Sequence, residues 1–408
     1  MVRVQSASGV SPLISAHSGK AVLRRDLRQQ ASRFALMSAI GLAAAAGGSL
    51  LTPGEALADC TLNGPTVVCN TTTTTNTTHP AGQPNDRAYE VLEGSPLNAS
   101  VTPGSSVTGQ GLAFSNLGDG GVSVVNDGTI TVDAGNAPTA GGTAALSIVA
   151  NGGVLSYAGG AITNNGSGNG LDAIQNGGND TIDINVTGAV RGATGINARN
   201  NGGDAGGISI AAAGPVTGTA GTGIRARTLG GGGIDIAAGD VTGQGGAGID
   251  AQLLNTPGSA NAVTISAGNV VGQSGVIAFN CGQGGVSVTT TGDVTGVNGT
   301  GVFLASGADV DANIGGVVTG SLSGVAVQAA GDISVQTTAV SALNGNGVTI
   351  DNQGAGDVNF AATGPITATG GYGVAVSDTA IGGDISITTG SVSATTGTYN
   401  GIHVISNS

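Results

Sequence analysis

Paired carboxylates are the first chemistry to look for in this chain, because aspartate is its commonest ionisable residue and bases are scarce. Hydrolysis of a glycosidic bond needs two carboxyl groups at a set separation, one able to hold a proton and the other ionised. Glu90 and Glu93 are the only glutamates after residue 58, and they stand together, well before the regular part of the sequence. Asp240, Asp293, Asp332, Asp357 and Asp384 recur instead near the corners of a repeating unit. That placement fits turn residues, whose short side chains bond to nearby backbone. A lyase would need Arg or Lys beside bound calcium, but Arg191, Arg199, Arg225 and Arg227 fall early in the repeats and His79 and His403 are isolated. The expectation is therefore no enzyme, no catalytic residue and no cofactor. The competing reading is a carbohydrate-active β-helix enzyme, a polysaccharide lyase or hydrolase, which would bring carboxylates and a base together on one concave face.

Metal ligation and thiol chemistry have equally thin support. Gly230-Gly231-Gly232-Gly233-Ile234-Asp235 and Gly177-Gly178-Asn179-Asp180 each match part of a calcium-binding nonapeptide. That site requires successive nonapeptides stacked on one another, and these copies are isolated, so no metal is expected. Cys60 and Cys69 enclose eight residues and are expected to form a disulfide in an exported protein. Cys281 stands alone and is expected to be buried and inert.

What would position any of these residues is a repeat. Gly239-Asp240-Val241-Thr242-Gly243-Gln244-Gly245-Gly246-Ala247-Gly248-Ile249-Asp250-Ala251 is one copy of a unit that recurs to the C-terminus. Its Val-Thr position falls at Val190, Val216, Val241, Val270, Val294, Val318, Val340, Ile366 and Val392, in steps of 22 to 29 residues. Gly-Ile positions (Ile196, Ile224, Ile249, Val276 onward) and apolar-x-apolar pairs (Ile182/Ile184, Ile208/Ile210, Ile234/Ile236) give two further registers. Only the copy at 309–330 blurs its pair. Each unit thus holds three short segments that alternate apolar and polar, the period of a half-buried strand. Gly and Asn interrupt every window a helix would need. The fold expected is all-β: a right-handed parallel β-helix of about 25-residue coils, the hand following the general chirality of parallel connections.

Organisation along the chain follows. Six of the 11 basic residues lie in 1–33; an apolar run from Phe34 to Leu51 and Ala56-Leu57-Ala58 precede Asp59. A basic segment, an apolar segment and an A-x-A site read as a signal peptide, 1–58, cleaved between Ala58 and Asp59. Residues 59–110 are expected to form an N-terminal cap segment with a Thr-rich linker, 111–176 imperfect coils and 177–408 regular coils. Six of 11 basic and two of 24 acidic residues precede Asp59, which leaves five against 22 and a net charge of −17. Such a surface repels nucleic acid.

The residue after each Val-type position is usually hydroxylated, as at Thr217, Thr242, Thr295, Thr319 and Thr367. Because its neighbour points inward, this row is expected to point outward and form a stripe. The stripe is a candidate binding face for a glycan, a host surface or ice. Outward Thr is also simply a good strand residue, able to bond across the ladder.

The long basic leader, the early close cysteine pair and the Gly/Thr/Asn-rich coils together resemble the passenger domain of a Gram-negative autotransporter. The resemblance covers nearly the whole chain and rests on pattern and composition. It implies an exported β-helix, at the cell surface or released, often an adhesin with a host-surface or glycan ligand. It also implies an outer-membrane translocator barrel. This sequence, ending at His403-Val404-Ile405-Ser406-Asn407-Ser408, contains none. Without a translocator the expectation is a periplasmic product whose bare last coil associates end to end.

Overall fold

The structure is a computed structural model that describes residues 60–75, 87–133, 144–203, 206–254, 258–379, 382–395 and 400–407. The leader 1–58, the Ala58–Asp59 junction, His79 and the end of the Thr-rich run lie outside the described residues. All described residues belong to one compact unit.

Among them every regular element is a strand, and the strands stack in three columns. One turn of the coil shows the plan. Ile208–Ala212 lies on a first face, Val216–Gly218 on a second and Ile224–Thr228 on a third; Ile234–Ala238 then returns to the first face. Each strand pairs in parallel with its counterpart one turn away, as Ile208↔Ile234, Val216↔Val241 and Ile224↔Ile249. The chain is thus a parallel β-helix. The third face alone is a ladder of 13 strands, from Ala88–Val91 to Ile402–Ser406.

Alternation makes the core. In Ile234–Ala238, Ile234 and Ile236 are buried while Asp235 and Ala237 face out. In-register stacking puts like on like: Leu171, Ile196, Ile224, Ile249, Val276 and Val302 form one continuous interior column. Stacking equivalent β-branched side chains at the strand spacing of about 4.8 Å removes each from water without a change of rotamer. This is why a chain with few aromatic residues still builds a core.

Two expectations about the coils change. First, the coils begin before residue 111. Thr66–Cys69, Leu97–Val101 and Val122–Asn126 are successive rungs of the first face, and Ser106–Gly109 is a rung of the second. The early turns lack the Val-Thr-Gly signature, but Val67, Leu97, Ala99, Val101 and Val107 fill the same inward positions. Second, the blurred copy at 309–330 has the expected register but a different corner. Val310–Gly320 runs as one strand across the first and second faces, with a bulge between Ile314 and Val317. Ala312 occupies the inward position that larger residues fill elsewhere, and this weakens the sequence pattern.

At the N-terminal end the first face begins with a disulfide-linked hairpin. Thr61–Asn63 folds back antiparallel on Thr66–Cys69, covering the first free edge of the ladder, and Cys60 is bonded to Cys69. Tyr89 donates its hydroxyl to the Cys60 carbonyl (3.1 Å) and stacks on Phe114. An exposed strand edge is a template for further pairing, and a short polar strand such as Thr61–Asn63 is a poor one. Cys281 is exposed, not buried as expected. It follows Asn280, which turns inward to bond the corner, so strand alternation sends Cys281 out. Native, non-reduced protein should therefore take up one equivalent of a thiol reagent, at Cys281. Labelling of Cys60 or Cys69 under those conditions would break the cap as described.

Corners from the third face to the first carry an inward amide. Asn280 accepts from Gly282 N (2.8 Å) and donates to Gly284 O (2.7 Å) and Asn261 O (3.0 Å). Asn116, Asn200 and Asn352 do the same work with Gly118, Gly202 and Gly354. Asp378 is in register with Asn352, is fully buried, and neither carboxyl oxygen has a partner. A carboxylate cannot donate to the corner carbonyls, and a buried acceptor without a donor costs about 1–3 kcal/mol. Asp378→Asn should therefore slow hydrogen exchange across Val374–Asp378 by roughly tenfold, the equivalent of about 1.4 kcal/mol. Faster exchange in the variant would show that the carboxylate is preferred there.

Candidate functional site

The aspartates singled out by their recurrence are corner ladders. Asp309 Oδ1 accepts the backbone N–H of Asp332, Asp332 Oδ1 that of Asp357, and Asp357 Oδ1 that of Asp384, each at 2.9 Å. A second ladder precedes the second face: Asp240 Oδ1 accepts from Asn269 N, Asn269 Oδ1 from Asp293 N, and Asp293 Oδ1 from Val317 N. Asn269 serves in the middle of that ladder, so the requirement is a short acceptor and not a charge. These carboxylates carry the turn from coil to coil. Asp180 acts likewise, accepting Gly153 N (2.9 Å). Asp235, from the other nonapeptide-like stretch, stands outward on the first face instead. Among the described residues no three His, Cys, Asp or Glu side chains gather in a group that could hold a metal.

A groove crosses the first face over Asp183, Ser209, Asp235 and Thr264, which are successive rungs of one outward row. Asp183 and Asp235 lie two rungs apart, about 10 Å at the strand spacing. The other residues lining the groove are Thr181, Gly207, Ile208, Gly233, Ile234 and Ala262, so the groove holds two carboxylates and no base.

The hydroxyl stripe lies on the second face. Thr217↔Thr242, Thr295↔Thr319 and Ser341↔Thr367 are direct neighbours in the ladder. Arg191 opens this run and Val271 interrupts it between Thr242 and Thr295. The row continues N-terminally through Thr131 and Thr163, which the sequence pattern does not mark. All five named threonines are half-buried. Thr74 and Thr108 share a hydrogen bond at 3.2 Å, whereas no such bond joins Thr217 to Thr242 or Thr295 to Thr319 among the described residues. The row therefore presents hydroxyls without closing them on each other.

The third face carries a cluster that no motif announces. Two outward rows run side by side along it. One reads Asp172, Asn197, Arg225, Asp250, Ile277, Phe303 and the other Ile174, Arg199, Arg227, Gln252, Phe279, Ala305. The first row is internally bonded. Asn197 donates to Asp172 Oδ1 (2.5 Å), Arg225 Nε lies 3.5 Å from Asp250 Oδ2, and Gln252 donates to Asp250 Oδ1 (2.8 Å). Burial pushes the Asp172 carboxyl above the usual carboxylate range, while the Asn197 hydrogen bond and the Arg199 charge pull the other way. Asn197 and Asp250 are buried although they point outward. Arg199 and Arg227 in the second row are exposed and directly opposite one another. The scarcity of arginine could have flagged these residues in the sequence. The Gly-Ile register sets Arg199 and Arg227 on this face, and Arg191 stands on a different one.

Compared with protein-family models, with curated proteins and with solved structures, the chain matches none of them.

Proposed function

We propose that this chain is an exported, non-catalytic rod of the passenger-domain type, displayed at the cell surface or released, which binds through an outer face as adhesins do. The observation that supports this best is the use of its carboxylates. The recurrent aspartates are engaged as acceptors at the corners, so the long ladder is a scaffold with outward rows of hydroxyls and a local charged patch. An extended sheet face with repeated, identically oriented side chains suits an extended ligand better than a small one. Autotransporter-type export, with cleavage between Ala58 and Asp59 and an outer-membrane translocator barrel as partner, belongs to the same proposal. So does end-to-end association. Sedimentation at rising concentration tests it, and a monomer throughout removes it.

Export is tested by expressing the chain in a Gram-negative cell, sequencing the N-terminus of the fractionated product and labelling intact cells with antibody. A mature chain beginning at Asp59 outside the cytoplasm is expected. An uncleaved cytoplasmic product would overturn the proposal. The enzyme reading keeps one observation, the Asp183/Asp235 groove. Polysaccharide turnover by the purified chain, abolished by Asp183→Asn and by Asp235→Asn, would establish it in place of the rod.

A further inference from the structure

We infer that the third face, from Arg199 to Phe303, is a binding site for a carboxylate-bearing polysaccharide chain lying along the rod. The inference rests on reading the rod as a binding scaffold, but it names a different face from the hydroxyl stripe and a charged class of glycan.

Charge distribution is the first argument. After residue 58 the chain has five arginines, no lysine and 22 acidic residues. Three of the five, Arg199, Arg225 and Arg227, occupy neighbouring rungs of one face. Beyond Arg227 there is no Lys or Arg at all. Of these three only Arg225 lies within ion-pair distance of a carboxylate, that of Asp250, while Arg199 acts on Asp172 from farther away. Arg199 and Arg227 make no ion pair among the described residues. They face each other across one rung, an arrangement of like charges that weakens a sheet. An anion between them reverses that term, and a guanidinium pair offers two planar forks that fit carboxylate oxygens.

The second argument is the surface next to them. Along the same row follow Gln252, half-buried, and Phe279, two rungs from Arg227; Phe303 lies beside Phe279 on the next rung and is 36 % exposed. The chain has nine Phe and Tyr residues in all, and Tyr89, Phe114, Tyr157 and Phe360 are buried in the core. Two outward rings on adjacent rungs therefore stand out against the composition. An aromatic face packs well against the C–H face of a sugar ring, while Gln252 can bond a hydroxyl. From Arg199 to Phe279 the row spans three steps of about 4.8 Å, roughly 14 Å, or some three sugar units. A chain of sugars carrying carboxylates can thus meet the cations at one end and the rings at the other. Asn197 is bonded to Asp172, and Asp250, held by Gln252, pairs with Arg225 and keeps it to one side.

The test uses the purified full chain and alginate as the probe, with its neutral esterified form and polyglutamate as comparisons, in low salt by titration calorimetry. Saturable binding of alginate is expected. Binding of the esterified polymer should be at least about tenfold weaker, since a charge-assisted hydrogen bond contributes about 1.5–3 kcal/mol. Arg199→Gln with Arg227→Gln should weaken alginate binding at least about tenfold on the same ground. Phe279→Ala should weaken it severalfold, while Arg191→Gln on the second face should leave it unchanged. All four positions point outward, and an unaltered thermal melt for each variant separates lost binding from lost fold. Absence of saturable binding to folded protein, or equal weakening by Arg191→Gln, would overturn the site. Polyglutamate binding as tight as alginate would overturn the sugar class. Export and surface labelling are measured separately, so failure here leaves the rod proposal standing and failure there leaves this site standing.

Discussion

Ile236→Asp should unfold or severely destabilise the middle of the rod, while Asp235→Asn should leave its stability nearly unchanged. Ile236 is fully buried and packs in register between Ile210 and Ile265 on the adjacent coils. Its replacement removes apolar contacts on both sides and puts a carboxylate where the interior column offers no donor. Burial of an unpaired charge costs several kcal/mol even after relaxation. Asp235 is the next residue in the same strand, faces the groove on the first face, and is exposed. Denaturant titration of both variants reads the contrast. A solenoid is stabilised by nearest-neighbour terms, so the loss should be centred on the coils around Ile236 and can appear as a separate transition. Similar losses for the two variants would mean that the strand is turned by one residue from the register described.

Gly243→Ala should cost about 2–3 kcal/mol, near the upper end of the usual range for forcing extra atoms into a packed interior. Gly243 ends the second-face strand Val241–Gly243, where the chain turns toward the third face. A Cβ there would run into the Ala247 carbonyl oxygen and lie 2.9 Å from Gly223 N on the preceding coil. Both neighbours are backbone atoms held by the ladder, since Gly223 N donates to Ala247 O at 3.0 Å. They cannot swing aside as a flexible side chain would. Gly203→Ala is the comparison: a Cβ at that position meets nothing within 4 Å. It should be neutral or slightly stabilising, because alanine restricts the unfolded chain. Thermal melts of the two variants give the answer, and a harmless Gly243→Ala would mean that the corner has slack the structure does not show.

Much of this molecule can be read from the sequence because its coils repeat. Three registers of apolar residues, each alternating in and out, require strands, and constant spacing between registers requires that equivalent strands stack. That reasoning fixes which of Ile234, Asp235 and Ile236 face inward. The close pair Cys60 and Cys69 was legible as well, since short separation leaves few geometries. What the sequence leaves out depends on contacts between residues far apart in the chain. The corner aspartates read as turn formers, but their partners are backbone amides one coil onward, about 25 residues away. The early coils escape the pattern because Leu97, Ala99 and Val107 fill core positions without the Val-Thr-Gly signature. Cys281 was expected inside, and one residue of alternation put it outside. The Gly-Ile register aligns Arg199, Arg227 and Phe279, each three residues after Ile196, Ile224 and Val276, and sets Arg191 in another register. What the folded chain adds is that Arg225 pairs with Asp250 and that Asn197 and Asp250 are buried on an outward row. A local pattern determines whether a residue points in or out and on which rung it stands; pairing and burial between coils depend on residues far apart in the chain, and only the folded chain decides them.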